Sequence, residues 1–184
     1  MQLAIEYDRN NRPFVVVEED ILEGVPKEEW IDKVKETMAQ KFPEGIRVGN
    51  NIIRISRKTR KEWTRSKNSS WLRYNDADAY ADKMRAAGNA DEIIRASGDY
   101  VNESINHERK DGIVDFARGR VRLSIGGRDY SASVIIGNNM DNALTLYDIV
   151  DMKAEHIAVS YTHLDVYKRQ PGGRAGQSGA AADG

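Results

Sequence analysis

Residues 116–136 read FARGRVRLSIGGRDYSASVII, and this stretch decides the fold because two alternating runs flank a pair of glycines. Gly126 and Gly127 accept the positive φ angles of a two-residue hairpin turn. The turn predicts the register, with Leu123 opposite Tyr130 and Arg120 opposite Ser133. Because successive side chains point to opposite faces, one face is apolar and the other carries three arginines. These residues, which we call the arginine row, are Arg118, Arg120 and Arg122.

Further strands and helices surround this hairpin. Leu144–Val150 predicts a third strand, and Asp148 breaks its alternation, which indicates that the strand ends or bulges there. Five apolar residues recur at helical spacing and should form the buried face of a helix, namely Trp30, Ile31, Val34, Met38 and Phe42. We expect an α+β fold with an N-terminal β-hairpin and helix, a second hairpin, a helical middle and a C-terminal antiparallel meander sheet.

Residues 160–170 read SYTHLDVYKRQ and resemble the in-frame translation of a palindromic transposon-end adapter used to prepare sequencing libraries. The Gly- and Ala-rich residues that follow have a different composition from the rest of the chain. The resemblance implies a metagenomic origin and a missing natural C-terminus. We therefore expect residues 1–159 to form a single α+β domain and residues 160–184 to be an artefactual, disordered tail.

The composition excludes several classes of protein. The chain of 184 residues has no cysteine, which excludes disulfide scaffolds and thiolate metal sites. Its first residues lack the cationic and apolar regions of a signal peptide, and no apolar run approaches the ~18 residues of a membrane span. The formal net charge is −1, which argues against a dedicated nucleic-acid-binding protein. We expect a cytoplasmic location, no membrane partner and no cofactor.

A basic segment, Arg54–Lys67, contains seven cations and a single acid, Glu62. Arginine and lysine supply most protein contacts to nucleic-acid phosphates, and Trp63 or Trp71 offers a ring on which a base can stack. The alternative is an ordinary solvated helix face that is balanced by acids elsewhere. The candidate nucleic-acid-binding residues of the whole chain are Arg57, Lys58, Arg60, Lys61, Arg109, Arg118, Arg120 and Arg122.

The segment Asn106–Asp111 is the second candidate site. His107 is of the residue type that transfers protons near neutrality, and Arg109 or Lys110 can stabilise the charge that develops on a reacting phosphate. This combination suits metal-independent cleavage of RNA. The alternative is that His107 caps a turn within a surface charge cluster. No two histidines have metal-ligand spacing and no phosphate-cradling glycine loop is present, so we expect no metal site.

Five stretches of the chain, taken together, resemble a known family. They are 56–62 (SRKTRKE), 89–93 (NADEI), 102–111 (NESINHERKD), 116–119 (FARG) and 146–149 (LYDI). In order and spacing they are similar to the third of the large polyvalent protein-associated domains, which occur in long multidomain proteins of phages and conjugative elements. The resemblance covers most of residues 1–159. It implies a mobile-element origin, a bacterial host cytoplasm and, as partners, other domains of the parent protein.

A looser resemblance is architectural. Helices followed by a meandering antiparallel sheet are similar to the barnase–EndoU–colicin–RelE group of metal-independent ribonucleases, which place His, Lys or Arg and Ser, Thr or Tyr on the sheet face. Only one suitable histidine is present, and analogy of fold does not establish a function. The positions that match, with His107 as general acid or base, are His107, Lys110, Arg118, Arg120 and Tyr147.

Three functions therefore remain open. The leading one is an accessory domain of a phage or mobile-element polyvalent protein that binds RNA, DNA or a partner protein through the arginine row. The second is a ribonuclease that uses His107, and the third is a structural spacer. A ribonuclease requires His107 and the arginine row around one cleft, a binding domain requires only a continuous basic surface, and a spacer requires neither.

Overall fold

The structure is a computed structural model that describes residues 4–105 and 109–159. Within these ranges the chain forms five α-helices and eight strands, so the predicted α+β class is confirmed. The strands are β1 Ile5–Tyr7, β2 Pro13–Val17, β3 Ile46–Val48, β4 Asn51–Arg54, β5 Gly98–Ser104, β6 Ile113–Ile125, β7 Arg128–Asn139 and β8 Leu144–Ala154. The helices are α1 Trp30–Lys41, α2 Arg57–Arg65, α3 Lys67–Asn75, α4 Ala77–Arg85 and α5 Ala90–Ala96, with short 3-10 helices at Lys27–Glu29 and Ala86–Asn89.

The hairpin of β6 and β7 has the predicted register. Leu123 pairs with Tyr130, and Arg120 pairs with Ser133. The turn residues Gly126–Gly127 have φ angles of 57° and 80°, which residues with a Cβ atom adopt rarely. The local pattern of alternation around two glycines was therefore sufficient to predict this part of the sheet.

β8 is the third strand of the predicted meander and contains a β-bulge. It pairs antiparallel with β7 and continues to Ala154. Opposite Ile135 and Ile136, β8 uses the three residues Leu146–Asp148, so Tyr147 is the extra residue. The irregularity predicted at Asp148 is thus a bulge and not the end of the strand. A bulge redirects the side chains around it, and here it accompanies the burial of Asp148.

The two short hairpins extend the meander into one mixed sheet. The strand order is β1-β2-β6-β7-β8-β4-β3, and β5 also pairs with β6. β2 runs parallel to β6, with Val15 opposite Leu123, and β4 runs parallel to β8, with Ile53 opposite Leu144. The sequence predicted both hairpins but not these parallel contacts, because they join segments that are far apart in the chain.

The helices pack on the apolar face of the β6–β7 hairpin and share one core with it. In α1, Val34 and Met38 are buried as predicted, and Phe42 is buried just after the helix. Trp30 and Ile31, which were also predicted to be buried, are only half-buried. None of the helices in the described ranges is long and apolar enough to cross a membrane.

α4 carries two adjacent charged residues that are both buried, Asp82 and Lys83. The carboxylate of Asp82 accepts two hydrogen bonds from Arg128, at 2.7 and 2.9 Å. Lys83 Nζ lies 2.8 Å from Asp148 Oδ1 and donates to the hydroxyl of Ser69, also at 2.8 Å. Because an unpaired buried charge is strongly unfavourable, these partners are what allow α4 to lie in the core.

Candidate nucleic-acid interface

α2 fixes the basic segment against strand β8. The hydroxyl of Ser56 accepts the backbone N–H of Thr59 at 3.1 Å, and the hydroxyl of Thr59 accepts the N–H of Ser56 at 3.0 Å, so the helix begins with a capping box. The Thr59 hydroxyl also donates to the carbonyl of Leu146. Trp63 is buried and donates its indole N–H to the carbonyl of Lys83 at 2.9 Å. These contacts bury one side of α2 and leave its cations on the other.

Six cations line one cleft beside α2, with a volume of about 790 Å³. One of them comes from α1 and five come from α2. Among the residues that the structure describes, Lys58 is the one cleft cation with a carboxylate partner, Glu62, at 3.1 Å. The cleft therefore presents a concentrated positive potential to an anion. The residues that define this cationic cleft are Lys35, Arg57, Lys58, Arg60, Lys61 and Arg65.

A guanidinium group packed on two aromatic rings lies next to the cleft. Arg109 donates to Asp111 from Nε at 3.0 Å and from Nη2 at 2.7 Å, and Nη2 also donates to the hydroxyl of Tyr147 at 3.3 Å. Its guanidinium carbon lies 5.1 Å from the ring centre of Phe116 and 5.5 Å from that of Tyr147. The two rings meet edge to face with centres 5.0 Å apart. We call these four residues the Arg109 cluster.

Lys58 joins the cationic cleft to the Arg109 cluster. Its Nζ lies 5.7 Å from the ring centre of Tyr147. The hydrogen bond to Glu62 raises the pKa of Lys58, and the nearby Asp111 raises it further. The hydrogen bonds from Arg109 lower the pKa of Asp111, and the charge of Lys58 contributes to this effect. At neutral pH the junction therefore holds a cationic Lys58 beside an anionic Asp111.

The arginine row begins two residues after Phe116, on the same face of β6. Arg118 donates to two carboxylates at 2.7 and 2.8 Å, and Arg122 donates to the buried Asp8 at 2.9 Å. Burial alone would raise the pKa of Asp8, but hydrogen bonds from the backbone and from Arg122 hold it well below its usual range. Arg120 is exposed and has no ion pair in the described ranges. The row thus offers less unneutralised charge than its sequence indicated.

The predicted catalytic residues can be placed only in part. His107 lies outside the described residues. Lys110 is exposed in the turn that precedes β6, and within the described ranges it has no hydrogen bond or cation–π contact with Tyr147. Tyr147 and Arg109, which the sequence assigned to different roles, are in direct contact.

Two tryptophans that were considered for base stacking differ in exposure. Trp63 is buried in the core, so the prediction that it could stack on a base is wrong, whereas Trp71 is exposed. The sequence also gave no reason to group Lys35 with the basic segment, because only the packing of α1 against α2 brings them together. Over the described ranges, no three histidine or acidic residues lie close enough to hold a metal ion.

A family model matches the part of the chain that carries both the cationic cleft and the Arg109 cluster. The family is described as large polyvalent protein-associated domain 3, and the match covers residues 27–147. No curated protein matches the chain, and no solved structure matches it.

Proposed function

Since this chain belongs to the family of large polyvalent protein-associated domain 3, as its motifs predicted, and is an accessory domain of polyvalent proteins, we propose that it binds nucleic acid through phosphate contacts in the cationic cleft. The observation that carries this proposal is the lining of one cleft by six cations. The arginine row is a secondary surface in this proposal, since two of its members are already paired with carboxylates.

The charge distribution favours a polyanion as the ligand. The whole chain has a net charge of −1, yet six cations converge on one cleft and Glu62 is their one carboxylate partner in the described ranges. Like charges held this close repel one another, and a bound chain of phosphates relieves the repulsion and releases counterions. Pockets for small molecules are lined mostly by hydrophobic and aromatic residues, whereas every residue that lines this cleft is a lysine or an arginine.

The first experiment measures binding of the full chain to labelled single-stranded RNA and DNA of about 16 nucleotides, in the presence of a chelator. A triple variant, Arg57→Gln/Arg60→Gln/Lys61→Gln, removes three charges from the cleft. We expect binding that weakens as salt rises from about 50 to 200 mM. In the triple variant, the plot of log affinity against log salt should become less steep. The magnitude of its negative slope should decrease by about 2, or about 0.7 for each lost phosphate contact.

A matched control removes two arginines and one lysine from exposed positions outside the cleft, in Arg9→Gln/Arg47→Gln/Lys153→Gln. It changes the net charge by the same amount and should leave the salt dependence nearly unchanged. Equal effects of the two triple variants would contradict the proposal, because they would indicate a general electrostatic effect. Failure of both nucleic acids to bind, or equally tight binding of polyglutamate, would also contradict it and would favour a spacer or an acidic protein partner.

The same samples test the ribonuclease hypothesis. Cleavage of the RNA in chelator, followed on a denaturing gel, would favour a metal-independent ribonuclease over a binding domain. The His107→Ala variant would then show whether that residue has the predicted role of general acid or base. Intact RNA together with salt-dependent binding supports the accessory binding function that we propose.

A further inference from the structure

We infer that the nucleic acid held by the cationic cleft is single-stranded and that one of its bases stacks on the Arg109 cluster. This inference rests on the proposed function and adds the class of ligand to it. Three observations carry it: the fixed plane of Arg109, its contact with two aromatic rings, and the position of Lys58 between the cleft and the cluster.

The guanidinium plane of Arg109 is held before any ligand arrives. Asp111 binds its Nε and Nη2 atoms as a fork, and the rings of Phe116 and Tyr147 lie 5.1 and 5.5 Å from the guanidinium carbon. About a fifth of the Arg109 side chain remains exposed, at 22%. A guanidinium group whose plane is fixed in this way stacks on a base with little loss of conformational entropy.

Asp111 indicates that the cluster takes a base and not a phosphate. Its carboxylate lies 2.7 Å from Arg109 Nη2 and already neutralises that guanidinium. A phosphate placed on Arg109 would meet the negative charge of Asp111, whereas the face of an uncharged base would not. The cleft cations other than Lys58 have no such carboxylate partner among the described residues, so the phosphates have their own site.

The two sites are adjacent, which is why one strand can occupy both. Lys58 lines the cationic cleft and also lies 5.7 Å from the ring centre of Tyr147. A strand whose phosphates bind the other cations of the cleft therefore has a neighbouring base beside the Arg109 cluster. In a duplex the faces of the bases are covered by their neighbours, so only a single strand can present a base for such stacking.

The test compares a single-stranded oligonucleotide with a duplex of the same length, using the full chain and its Arg109→Lys variant. Lysine keeps the positive charge but has no plane to stack. We expect Arg109→Lys to weaken single-strand binding roughly 5- to 150-fold, the range for loss of one stacked base, without changing the salt dependence. The wild type should bind the duplex more weakly than the single strand. The substitution should leave duplex binding unchanged. Arg9→Lys, at an exposed turn, is the matched control and should change neither affinity.

A second variant, Phe116→Leu, keeps an apolar side chain under Arg109 but removes the ring, and it should also weaken single-strand binding selectively. Thermal unfolding of each variant separates a loss of stacking from a loss of fold. Equal affinity for single strand and duplex, or unchanged single-strand affinity in both folded variants, would overturn the inference and leave the cleft as a nucleic-acid site. Absence of salt-dependent binding to either form would instead overturn the proposed function itself.

Discussion

Removing one partner of the buried ion pair between Lys83 and Asp148 should destabilise the protein strongly. Replacing both charged residues with apolar side chains should not. The two charged atoms lie 2.8 Å apart, and the side chains are 0% and 2% exposed. Burial lowers the pKa of Lys83 and raises the pKa of Asp148, in each case against the attraction of the partner. Both directions indicate that the loss of hydration outweighs the ion pair. The pair is therefore not expected to stabilise the core beyond what apolar side chains of similar size would do.

The single variant Lys83→Met leaves the Asp148 carboxylate buried, with the N–H of Ile149 among its remaining donors. Breaking a buried pair from one side costs about 3 to 5 kcal/mol, which corresponds to a decrease in Tm of about 6 to 20 °C for a chain of this size. The double variant Lys83→Met/Asp148→Leu removes both charges. Its free energy of unfolding should lie within about 1 kcal/mol of the wild type, or above it.

Urea denaturation of the wild type, both single variants and the double variant would give the coupling free energy of the pair. We expect a coupling of at least about 2 kcal/mol, because the second substitution rescues the first. Additive losses in the double variant, or a single variant that unfolds at the wild-type urea concentration, would refute the reasoning. The first result would mean that packing dominates the site, and the second that water reaches the remaining charge.

Two further predictions concern stability. Gly119→Ala should lower the free energy of unfolding, measured by urea denaturation, by about 1 to 2 kcal/mol, because a Cβ atom there would lie 2.5 Å from the ring of Tyr100. Adding Tyr100→Ala to this variant should restore most of the lost stability. Glu92→Gln should raise stability above neutral pH by about 1 kcal/mol after allowance for solvent screening, but not at pH 4. Burial, together with the neighbouring carboxylate of Asp91, raises the pKa of Glu92 from 4.5 to about 7. The wild type therefore loses stability as pH rises between those values, because Glu92 must ionise in the folded state. A stability difference between variant and wild type that stays constant across pH would contradict this prediction.

Local pattern predicted the centre of the sheet because the information is contained in neighbouring residues. The two glycines and the alternation of β6 and β7 fix a register that no distant residue alters. The break in alternation at Asp148 likewise indicated the bulge. The parallel pairing of β2 with β6 depends instead on contacts between distant segments, which periodicity does not encode. The burial of Lys83 was missed for the same reason, since its partner Asp148 lies on another element.

The candidate site was predictable where its residues are consecutive and not where they depend on partners. Arg57 and Lys61 were identified from composition, and they do line one cleft. Arg118 has the same residue type, but Glu103 and Asp151 neutralise it, and both lie on other strands. A count of cations therefore overestimates the charge of the arginine row, because it does not show which cations have carboxylate partners.

The cationic cleft depends on the buried contacts of the helix that carries most of it. Arg57, Lys61 and Arg65 follow one another at i, i+4 spacing on α2, so each neighbouring pair destabilises the helix by about 0.2 to 0.5 kcal/mol. A helix of nine residues is also too short to be stable alone. Its cap at Ser56 and the buried hydrogen bond of Trp63 must offset both effects. Because the bond from Trp63 ends on the backbone of the residue that pairs with Asp148, the interior charges and the surface charges belong to one packed unit.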